Sequence, residues 1–484
     1  MTTQTTSTTP QRDGGTPVLH GQDMVILGAT GSLARLKLLP ALYDLTYERL
    51  MPPEGLVFGM ARTPMSDEAF HELARQAIAL HARNEYDEDI WASLARRMRF
   101  ITLDEAGYDQ LRLRLTQRER LVYLAIPPSA FGPTVRSLAG QGLIEGTRLL
   151  IEKPFGRDCE SAIELDNDLH EVLDESQIFR IDHYLGKETV QNILVFRFGN
   201  SVFERVWNRD AIDHIEITVA ESDGIGQRGA FYEEVGALRD IFQNHLLQIL
   251  SLLTMEPPAS FDAESIRDEK SKLLQAVMPL QPENVVRGQY TAGSIEERPA
   301  KGYLEEAGIP PGSQVETFVA ARMEIANWRW AGVPIYLRTG KRLPYRATEI
   351  EIAFRDVPTS YFASSPDVDL TPNTLTLCIQ PEEEIAFSFL AKVPSPAIRV
   401  KPVTMNFSYE GNFSAEPAEA YQRLINDAML GDHTLFVRSD SVERAWRIVQ
   451  PILDAPPPLR HYAAGTWGPK EAEDLIAPLR WHLK

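Results

Sequence analysis

Over roughly the first third of the chain, short apolar runs alternate with stretches of helical spacing. The runs lie at 24–27, 56–60, 99–101, 121–125 and 148–152. After the first run, leucines recur every three residues from Leu33 to Leu45, and Pro40 inside this stretch predicts a kink. A longer helical pattern covers 67–98. This alternation predicts βα units around a doubly wound, mostly parallel sheet.

Beyond residue 200 the pattern changes to the two-residue alternation of half-buried strands. Such strands are indicated at 315–325, 350–354, 375–379, 385–390 and 398–409. Several of them in succession predict a large, mostly antiparallel sheet with one covered face. Helices are expected as well, at 231–254 and about 415–429. The second part of the chain is therefore predicted to be an α+β domain.

The length of the chain, 484 residues, is too great for one simple core, so two domains are expected. Residues 1–19 are rich in Thr, Gly and Gln and offer almost nothing to bury, which predicts a disordered tail. The change of pattern places the first domain at 20–182 and the second at 183–484.

The formal net charge of −19 argues against nucleic acid and anionic membranes as partners, because both require a basic surface. The two cysteines, Cys159 and Cys378, give neither a CxxC spacing nor a disulfide framework. We therefore expect a reducing compartment and no metal site. The polar N-terminus lacks the apolar segment of a secretory signal, and the most apolar stretch, 246–253, is too short to cross a bilayer. These features predict a cytoplasmic protein.

The first apolar run ends in a glycine-rich turn, GATGSLA at 28–34, that opens the leucine-rich helix. Gly28 suits a tight turn, and Gly31 lets a pyrophosphate approach the main chain. The helix start at Ser32 and Leu33 supplies oriented N–H groups. The spacing is a variant of the usual dinucleotide fingerprint, and a plain βα turn is the alternative. Because the turn stands between a strand and a helix, we favour a Rossmann-like dinucleotide-binding domain.

Arg62 follows the second apolar run, at the place where an acidic residue would bind the ribose 2′-hydroxyl of NAD. A guanidinium there suits a 2′-phosphate, so NADP is favoured as the cofactor and NAD is the alternative. The other interpretation of Arg62 is a solvated loop cation.

Polar chemistry is concentrated in two short segments, RIDHYLGKE at 180–188 and RDIFQNHLLQ at 239–248. His183 and Lys187 lie near an expected helix start at about Gly186, which is a favourable place for a phosphate. Asp240 and His245 lie five positions apart, about one helical turn, so both can border one cleft. Each histidine alone is weak evidence, since core and surface histidines are common. Together the segments indicate a site that removes a proton from an anionic substrate.

Six blocks of the sequence carry a resemblance to a known family. They are GATGSLARLKLLPALYDL (28–45), YLAIPP (123–128), IEKPFG (151–156), RIDHYLGKE (180–188), GALRDIFQNHLLQ (236–248) and NWRWAGVPIYLRTGKRL (327–343). With these blocks the chain resembles the glucose-6-phosphate dehydrogenase family. The resemblance covers nearly the whole chain beyond the N-terminal tail, and RIDHYLGKE is highly specific to that family.

The resemblance implies roles for the residues of the two polar segments. His245 is implied to be the general base that takes the proton from the C1 hydroxyl of the sugar. Asp182 is implied to orient His245 and to stabilise the imidazolium that forms. The 6-phosphate is implied to be held by His183, Tyr184 and Lys187.

Further contacts are implied outside these segments. Lys153, in the IEKPFG block, would lie between cofactor and sugar. The sugar hydroxyls would be bound by Glu221, Asp240 and Lys341. Arg346 stands where the family commonly has a second lysine, which puts its contact with the substrate in doubt. Ser32 stands where the family usually has an aspartate, which bears on cofactor choice and affinity rather than on the binding mode.

The resemblance implies that the chain oxidises β-D-glucose 6-phosphate at C1 to 6-phospho-D-glucono-1,5-lactone, the entry step of the oxidative pentose phosphate pathway, with hydride transfer to NADP. It also implies a homodimer or homotetramer. One alternative is a Rossmann-type sugar oxidoreductase with a Glu-Lys-Pro lysine, a family that lacks the RIDHYLGKE run. The other is a non-catalytic dinucleotide-binding regulator, which should have lost at least one of the polar site residues.

Overall fold

The computed structural model describes residues 20–483 apart from 105, 227, 360, 362–371, 397 and 413–417. The predicted disordered tail, 1–19, lies outside the described residues. The chain divides into two compact units. The first contains the described residues up to Lys153 together with 167–181 and 419–436, and the second contains 154–166, 182–418 and the rest of the chain from 437. The domain limits expected from the sequence, 20–182 and 183–484, stay a prediction.

The regular elements are numbered in chain order. The strands are β1 (Asp23–Leu27), β2 (Val57–Ala61), β3 (Met98–Thr102), β4 (Arg120–Leu124), β5 (Thr147–Ile151), β6 (Ile178–Ile181), β7 (Ile212–Ala220), β8 (Val285–Thr291), β9 (Gly293–Ile295), β10 (Arg298–Ala300), β11 (Phe318–Met323), β12 (Ile335–Gly340), β13 (Ala347–Phe354), β14 (Thr374–Gln380), β15 (Glu384–Lys392), β16 (Val400–Ser408), β17 (Phe436–Val437) and β18 (Leu459–Ala463). The α-helices are α1 (Leu39–Tyr47), α2 (Asp67–His81), α3 (Glu88–Ala95), α4 (Gly107–Arg114), α5 (Phe131–Gly140), α6 (Cys159–His170), α7 (Glu188–Phe198), α8 (Ser201–Glu204), α9 (Gly229–Ala237), α10 (Leu247–Thr254), α11 (Ala263–Ala276), α12 (Tyr409–Asn412), α13 (Ala420–Leu430), α14 (Ser439–Asp454) and α15 (Lys470–Ile476). Two π-helical segments precede α1 and α10, at Ala34–Leu38 and Leu238–Leu246.

The first unit is built on a seven-stranded sheet in the order β17-β6-β5-β4-β1-β2-β3. Neighbouring strands from β1 to β6 run parallel. Strands β1, β2 and β4 are buried along their whole length, as is usual in parallel sheets covered on both faces. The predicted doubly wound sheet is therefore confirmed.

The helix that follows β1 begins at Ser32 and is irregular near Pro40, where a kink was predicted. Proline has no N–H to donate to the preceding turn. The wider π-helical turn Ala34–Leu38 lies directly before α1, and Pro40 stands in the first turn of α1.

The helical segment after β2 is divided in two. The pattern predicted helical structure at about 67–98, and the structure has α2 and α3 there, separated by a loop, with β3 already beginning at Met98. Asp87 ends the loop as the N-cap of α3, and its carboxylate accepts from the N–H groups of Asp89 and Ile90. The local capping signal therefore outweighs the continuous helical spacing.

The second unit contains a nine-stranded sheet in the order β16-β15-β14-β13-β7-β12-β11-β8-β18. Its neighbours pair antiparallel, except for the parallel pairs β7–β12 and β8–β18. The prediction of a large, mostly antiparallel sheet is confirmed.

Three adjacent strands of this sheet place polar residues side by side at the same end of the strands. Glu221 follows the end of β7, Lys341 follows the end of β12, and Arg346 directly precedes β13. In the register of the sheet, Ala220 at the end of β7 pairs with both Gly340 and Ala347. The three polar residues therefore lie side by side.

Among the described residues, no helix combines the length and the apolar character that crossing a membrane requires.

Candidate active site

A glycine kink introduces the helical segment that carries His245. Gly236 has φ 64° and ψ 175°, a conformation that breaks the helix. A Cβ atom at this position would lie 2.5 Å from Oε1 of Glu316. The same Glu316 accepts from the N–H of Leu238 at 3.2 Å and, through its main-chain carbonyl, from the N–H of Ala237 at 3.0 Å. Glu316 thus caps the segment that begins after the kink.

The π-helical geometry of Leu238–Leu246 aligns Asp240 with His245. In an ordinary α-helix, residues five apart point about 140° away from each other. In a π-helix the i→i+5 hydrogen bond brings such residues nearly into line. The two side chains can therefore share a face through the π-helical turn rather than through one ordinary helical turn, and their place at one cleft stays a prediction.

Asp182 and His245 form a buried hydrogen-bonded pair. Nδ1 of His245 lies 2.5 Å from Oδ1 of Asp182, and the two residues are 0% and 2% exposed respectively. Asp182 directly follows β6, and the same Oδ1 accepts from the N–H of Tyr184 at 3.0 Å. Removal from water strengthens this interaction. The pair can hold an imidazole in one tautomer and stabilise a proton on it.

Two rings of the 180–188 segment pack against His245. Tyr184 stacks on it with ring centroids 4.3 Å apart, and the ring of His183 approaches edge-on at 4.6 Å. Burial raises the pKa of Tyr184 to about 12, so its hydroxyl is protonated at neutral pH. Donor atoms of Asp182, His183 and His245 lie within 4.8 Å of one another, a spacing that a metal ion could also use.

Two cations converge on one amide beside these rings. Nζ of Lys187 donates to Oε1 of Gln380 at 2.5 Å and lies 4.3 Å from the ring centre of Tyr184. Arg346 reaches the same oxygen with Nη2 at 3.5 Å. The amide of Gln380 is oriented by its own donation to Thr348 Oγ1 at 2.8 Å. Two cations at one neutral amide are suited to an anion, and the carboxylate of Glu383 also interacts electrostatically with Lys187.

The helix after this segment, α7, begins at Glu188, two residues after Gly186, and Lys187 is its N-cap residue. Gln380 was not singled out in the sequence. It lies 193 positions from Lys187, and a glutamine at the end of a strand carries no distinctive local signal.

Lys341 lies between two carboxylates at the sheet edge. Its Nζ donates to Oε2 of Glu221 at 2.5 Å and lies 4.0 Å from Oδ2 of Asp240. Lys341 is buried. One buried ammonium and two partly exposed carboxylates provide both donors and acceptors for a polyhydroxylated ligand.

Sequence reasoning also missed Lys270. This residue lies on the buried face of α11, and burial lowers its pKa to about 8, whereas the charge of Asp182 acts in the opposite direction. A signal existed in the sequence, because Lys270 occupies an apolar-face position between Ile266 and Leu273.

The predicted cofactor residues lie along one edge of the parallel sheet in the first unit. Gly28 has φ 88°, and a Cβ atom there would lie 2.1 Å from the carbonyl oxygen of Ala125, so this position requires glycine. Gly31, Ser32 and Leu33 follow at the start of the helix. The tight turn and the helix N-terminus fit the pyrophosphate of a dinucleotide.

Arg62 and Lys153 lie beyond the carboxyl ends of other strands of the same sheet. Arg62 follows β2, which neighbours β1, and is exposed. Lys153 comes two residues after the end of β5 and is half-buried. Because β1, β2 and β5 run parallel, both side chains belong to the edge at which the glycine turn lies.

Comparisons with known proteins agree over nearly the whole chain. Two family models match, "Glucose-6-phosphate dehydrogenase, NAD binding domain" at residues 25–192 and "Glucose-6-phosphate dehydrogenase, C-terminal domain" at 194–482. Glucose-6-phosphate 1-dehydrogenase of Aggregatibacter actinomycetemcomitans is 46% identical over 476 residues, which cover 94% of this chain and 95% of the relative.

Two solved structures are similar over nearly their full length. Glucose-6-phosphate 1-dehydrogenase from Mycobacterium avium superposes with a TM-score of 0.86 at 38% identity, covering 96% of this chain and 99% of the other. A glucose-6-phosphate dehydrogenase in complex with glucose 6-phosphate superposes with a TM-score of 0.88 at 34% identity, covering 97% and 100%. On this evidence of sequence and structure, the chain belongs to the glucose-6-phosphate dehydrogenase family.

Proposed function

We propose that this chain is a glucose-6-phosphate 1-dehydrogenase. It oxidises β-D-glucose 6-phosphate at C1 to 6-phospho-D-glucono-1,5-lactone and transfers the hydride to NADP. The observation that carries the proposal is the buried 2.5 Å hydrogen bond between Asp182 and His245, next to two cations that can hold an anion.

His245 acts as the general base and Asp182 as its orienting carboxylate. The bond from Nδ1 to Asp182 leaves Nε2 as the ring nitrogen that accepts the proton of the C1 hydroxyl. The imidazolium that forms is stabilised by the buried carboxylate. The C1–H hydrogen leaves as a hydride while the O–H proton passes to His245, so the hemiacetal becomes a lactone.

The substrate is held at its two ends. His183, Tyr184 and Lys187 bind the 6-phosphate, and Arg346 adds a second cation at Gln380. Support comes from the convergence of the two cations and from the protonated hydroxyl of Tyr184.

The sugar hydroxyls are bound by Glu221, Asp240 and Lys341. These groups contact one another, so a sugar hydroxyl can replace one hydrogen bond of the set without leaving the buried charge of Lys341 unpaired.

NADP is the proposed cofactor. Gly28, Gly31, Ser32 and Leu33 hold its pyrophosphate, and Arg62 pairs with the 2′-phosphate. Lys153 lies between cofactor and sugar in this proposal. When bound, NADP supplies the ring carbon that accepts the hydride. Replacing Arg62 by Ala should raise the KM for NADP far more than that for NAD. Equal effects on both KM values would contradict the proposed contact between Arg62 and the 2′-phosphate.

The direct test is an assay that follows the absorbance of reduced cofactor with purified protein. Glucose 6-phosphate with NADP should give turnover. Glucose should be oxidised much more slowly, because it has no phosphate for Lys187 and Arg346 to bind. Comparable rates with both sugars, or no reduction of either cofactor, would refute the proposal.

We also propose a cytoplasmic homodimer or homotetramer without nucleic acid or membrane as partner. The edge strand β16 exposes Val403 and Met405, which are 40% and 59% exposed, and a second copy of the chain can cover such a strand. Sedimentation velocity should show a dimer or a tetramer. Met405→Lys should weaken the association between the subunits. A monomer at micromolar concentration would refute this part.

A further inference from the structure

The main chain around Lys341 is held in an unusual turn. The N–H of Lys341 donates to the carbonyl of Thr317 at 2.9 Å. The next residue, Arg342, has φ 56°, a left-handed conformation that a non-glycine residue keeps only where its surroundings impose it. The N–H of Arg342 donates to the carbonyl of Asp223 at 3.2 Å. The peptide between Lys341 and Arg342 is thus fixed on its N–H side.

Tyr462 fixes the other side of the same peptide. This buried residue of β18 donates its hydroxyl proton to the carbonyl of Lys341 at 2.6 Å. A second acceptor, the carbonyl of Thr317, is 3.3 Å away, so the bond to Lys341 is the stronger one. Burial raises the pKa of Tyr462, so its hydroxyl stays a donor across the working pH range.

A buried chain of hydrogen bonds ends at this carbonyl. The N–H of Tyr290 donates to Thr317 Oγ1 at 3.0 Å, and Thr317 Oγ1 lies 3.1 Å from the hydroxyl of Tyr462. Each of these residues is buried, so no bulk water competes for the bonds. Such chains polarise their members and hold them rigidly.

We propose that Tyr462 is a positioning residue for sugar binding. By fixing the Lys341–Arg342 peptide, its hydroxyl sets where Nζ of Lys341 stands relative to Glu221 and Asp240. A strand 121 positions away in the sequence thereby determines the geometry of the substrate site without touching the substrate. The inference rests on the proposed function, in which Lys341 binds sugar hydroxyls.

The test is Tyr462→Phe, which removes one oxygen atom and keeps the ring in the buried cluster that it forms with Tyr290, Tyr303 and Phe318. We expect the KM for glucose 6-phosphate to rise about fivefold to tenfold, the equivalent of one lost hydrogen bond. The value of kcat should change less than about twofold, and the KM for NADP should stay unchanged, since the chemistry and the first unit are not involved. An unchanged KM for glucose 6-phosphate would overturn the inference.

Tyr303→Phe is the matched control. Tyr303 belongs to the same buried cluster, and its hydroxyl donates to Oε1 of Glu233 at 2.6 Å, not to the turn at Lys341. This variant loses a hydrogen bond of the same length from a buried tyrosine and should keep its KM for glucose 6-phosphate. Equal increases in both variants would mean a general loosening of the sheet and would overturn the positioning role.

Lys341→Ala separates failure of this inference from failure of the proposed function. If Lys341→Ala leaves the KM unchanged, the sugar-binding role of Lys341 is wrong. If it raises the KM while Tyr462→Phe does not, the role of Tyr462 alone is wrong. In the double variant, Tyr462→Phe should add nothing to the effect of Lys341→Ala, because both act on one interaction.

A second variant covers the case in which Tyr462→Phe does not fold. Thr317→Val removes the hydroxyl in the middle of the hydrogen-bond chain and keeps the shape of the side chain. We expect it to raise the KM for glucose 6-phosphate in the same direction, and an unchanged KM in the folded variant would overturn the inference.

Discussion

Asp182→Asn removes the charge from the buried pair and keeps the shape of the side chain. In the native protein both partners are almost completely buried and 2.5 Å apart. Breaking a buried charged pair by removing one partner costs about 3–5 kcal/mol. If this loss falls on the transition state, where His245 becomes an imidazolium, kcat should drop by roughly 10²- to 10⁴-fold.

The assay is steady-state reduction of NADP with glucose 6-phosphate, together with calorimetric binding of glucose 6-phosphate to the variant. Binding should stay within a few-fold, because the groups around Gln380 and Lys341 are unchanged. Asp182 also offsets the charge of the buried Lys270, so some loss of thermal stability is expected and must be measured alongside.

The matched control is Asp213→Asn. Asp213 pairs with Nδ1 of the buried His214 at 3.0 Å, outside the candidate active site, and this variant should keep its kcat. A kcat within about tenfold of the native value for folded Asp182→Asn would refute the reasoning, since a general base typically contributes about 10²–10⁴-fold.

Three further changes test other parts of the structure. Gly236→Ala should lower kcat and the melting temperature, because the new Cβ would meet Glu316 at 2.5 Å in a left-handed backbone and disturb the π-helical segment; a native kcat would contradict this. Gly28→Ala should abolish NADP binding in isothermal titration while leaving the second unit folded, and normal affinity would show that the turn does not hold the cofactor. Burial raises the pKa of Asp427 to about 6. The ionised carboxylate therefore lowers the free energy of unfolding above that pH, and this destabilisation disappears as the pH falls towards 4. Asp427→Asn should therefore stabilise the protein by about 2–3 kcal/mol at pH 8 and have little effect at pH 4, and a lower melting temperature at pH 8 would show that its ion pair with Arg423 dominates.

Much of the fold follows from the spacing of apolar residues. Strands such as β1 and β4 are short apolar runs because both faces of a parallel sheet are covered. Strand β7 also has the two-residue alternation, but the burial of its polar side was not predictable, since His214, Glu216 and Thr218 suggest an exposed face. In the structure these polar side chains are buried, and Glu216 accepts from the N–H of His482 at 2.8 Å. Long-range pairing of this kind leaves no local pattern.

The candidate site was predictable in part, from its two polar segments and from the family resemblance. The pairing of Asp182 with His245 followed from the family resemblance, and the structure has it as a 2.5 Å hydrogen bond. The π-helical geometry was not predictable, because its i→i+5 hydrogen bonds have no residue signature. Gln380 and Tyr462 were missed because each acts across a long sequence separation.

The most direct test of the central claim is the turnover of His245→Asn with glucose 6-phosphate and NADP. His214→Asn is its control, since His214 is also buried and paired with a carboxylate but lies outside the candidate site. We predict that kcat falls by about 10²–10⁴-fold in His245→Asn with binding of glucose 6-phosphate largely retained, and that His214→Asn keeps its kcat. Retention of native turnover by His245→Asn would contradict the assignment of His245 as the base.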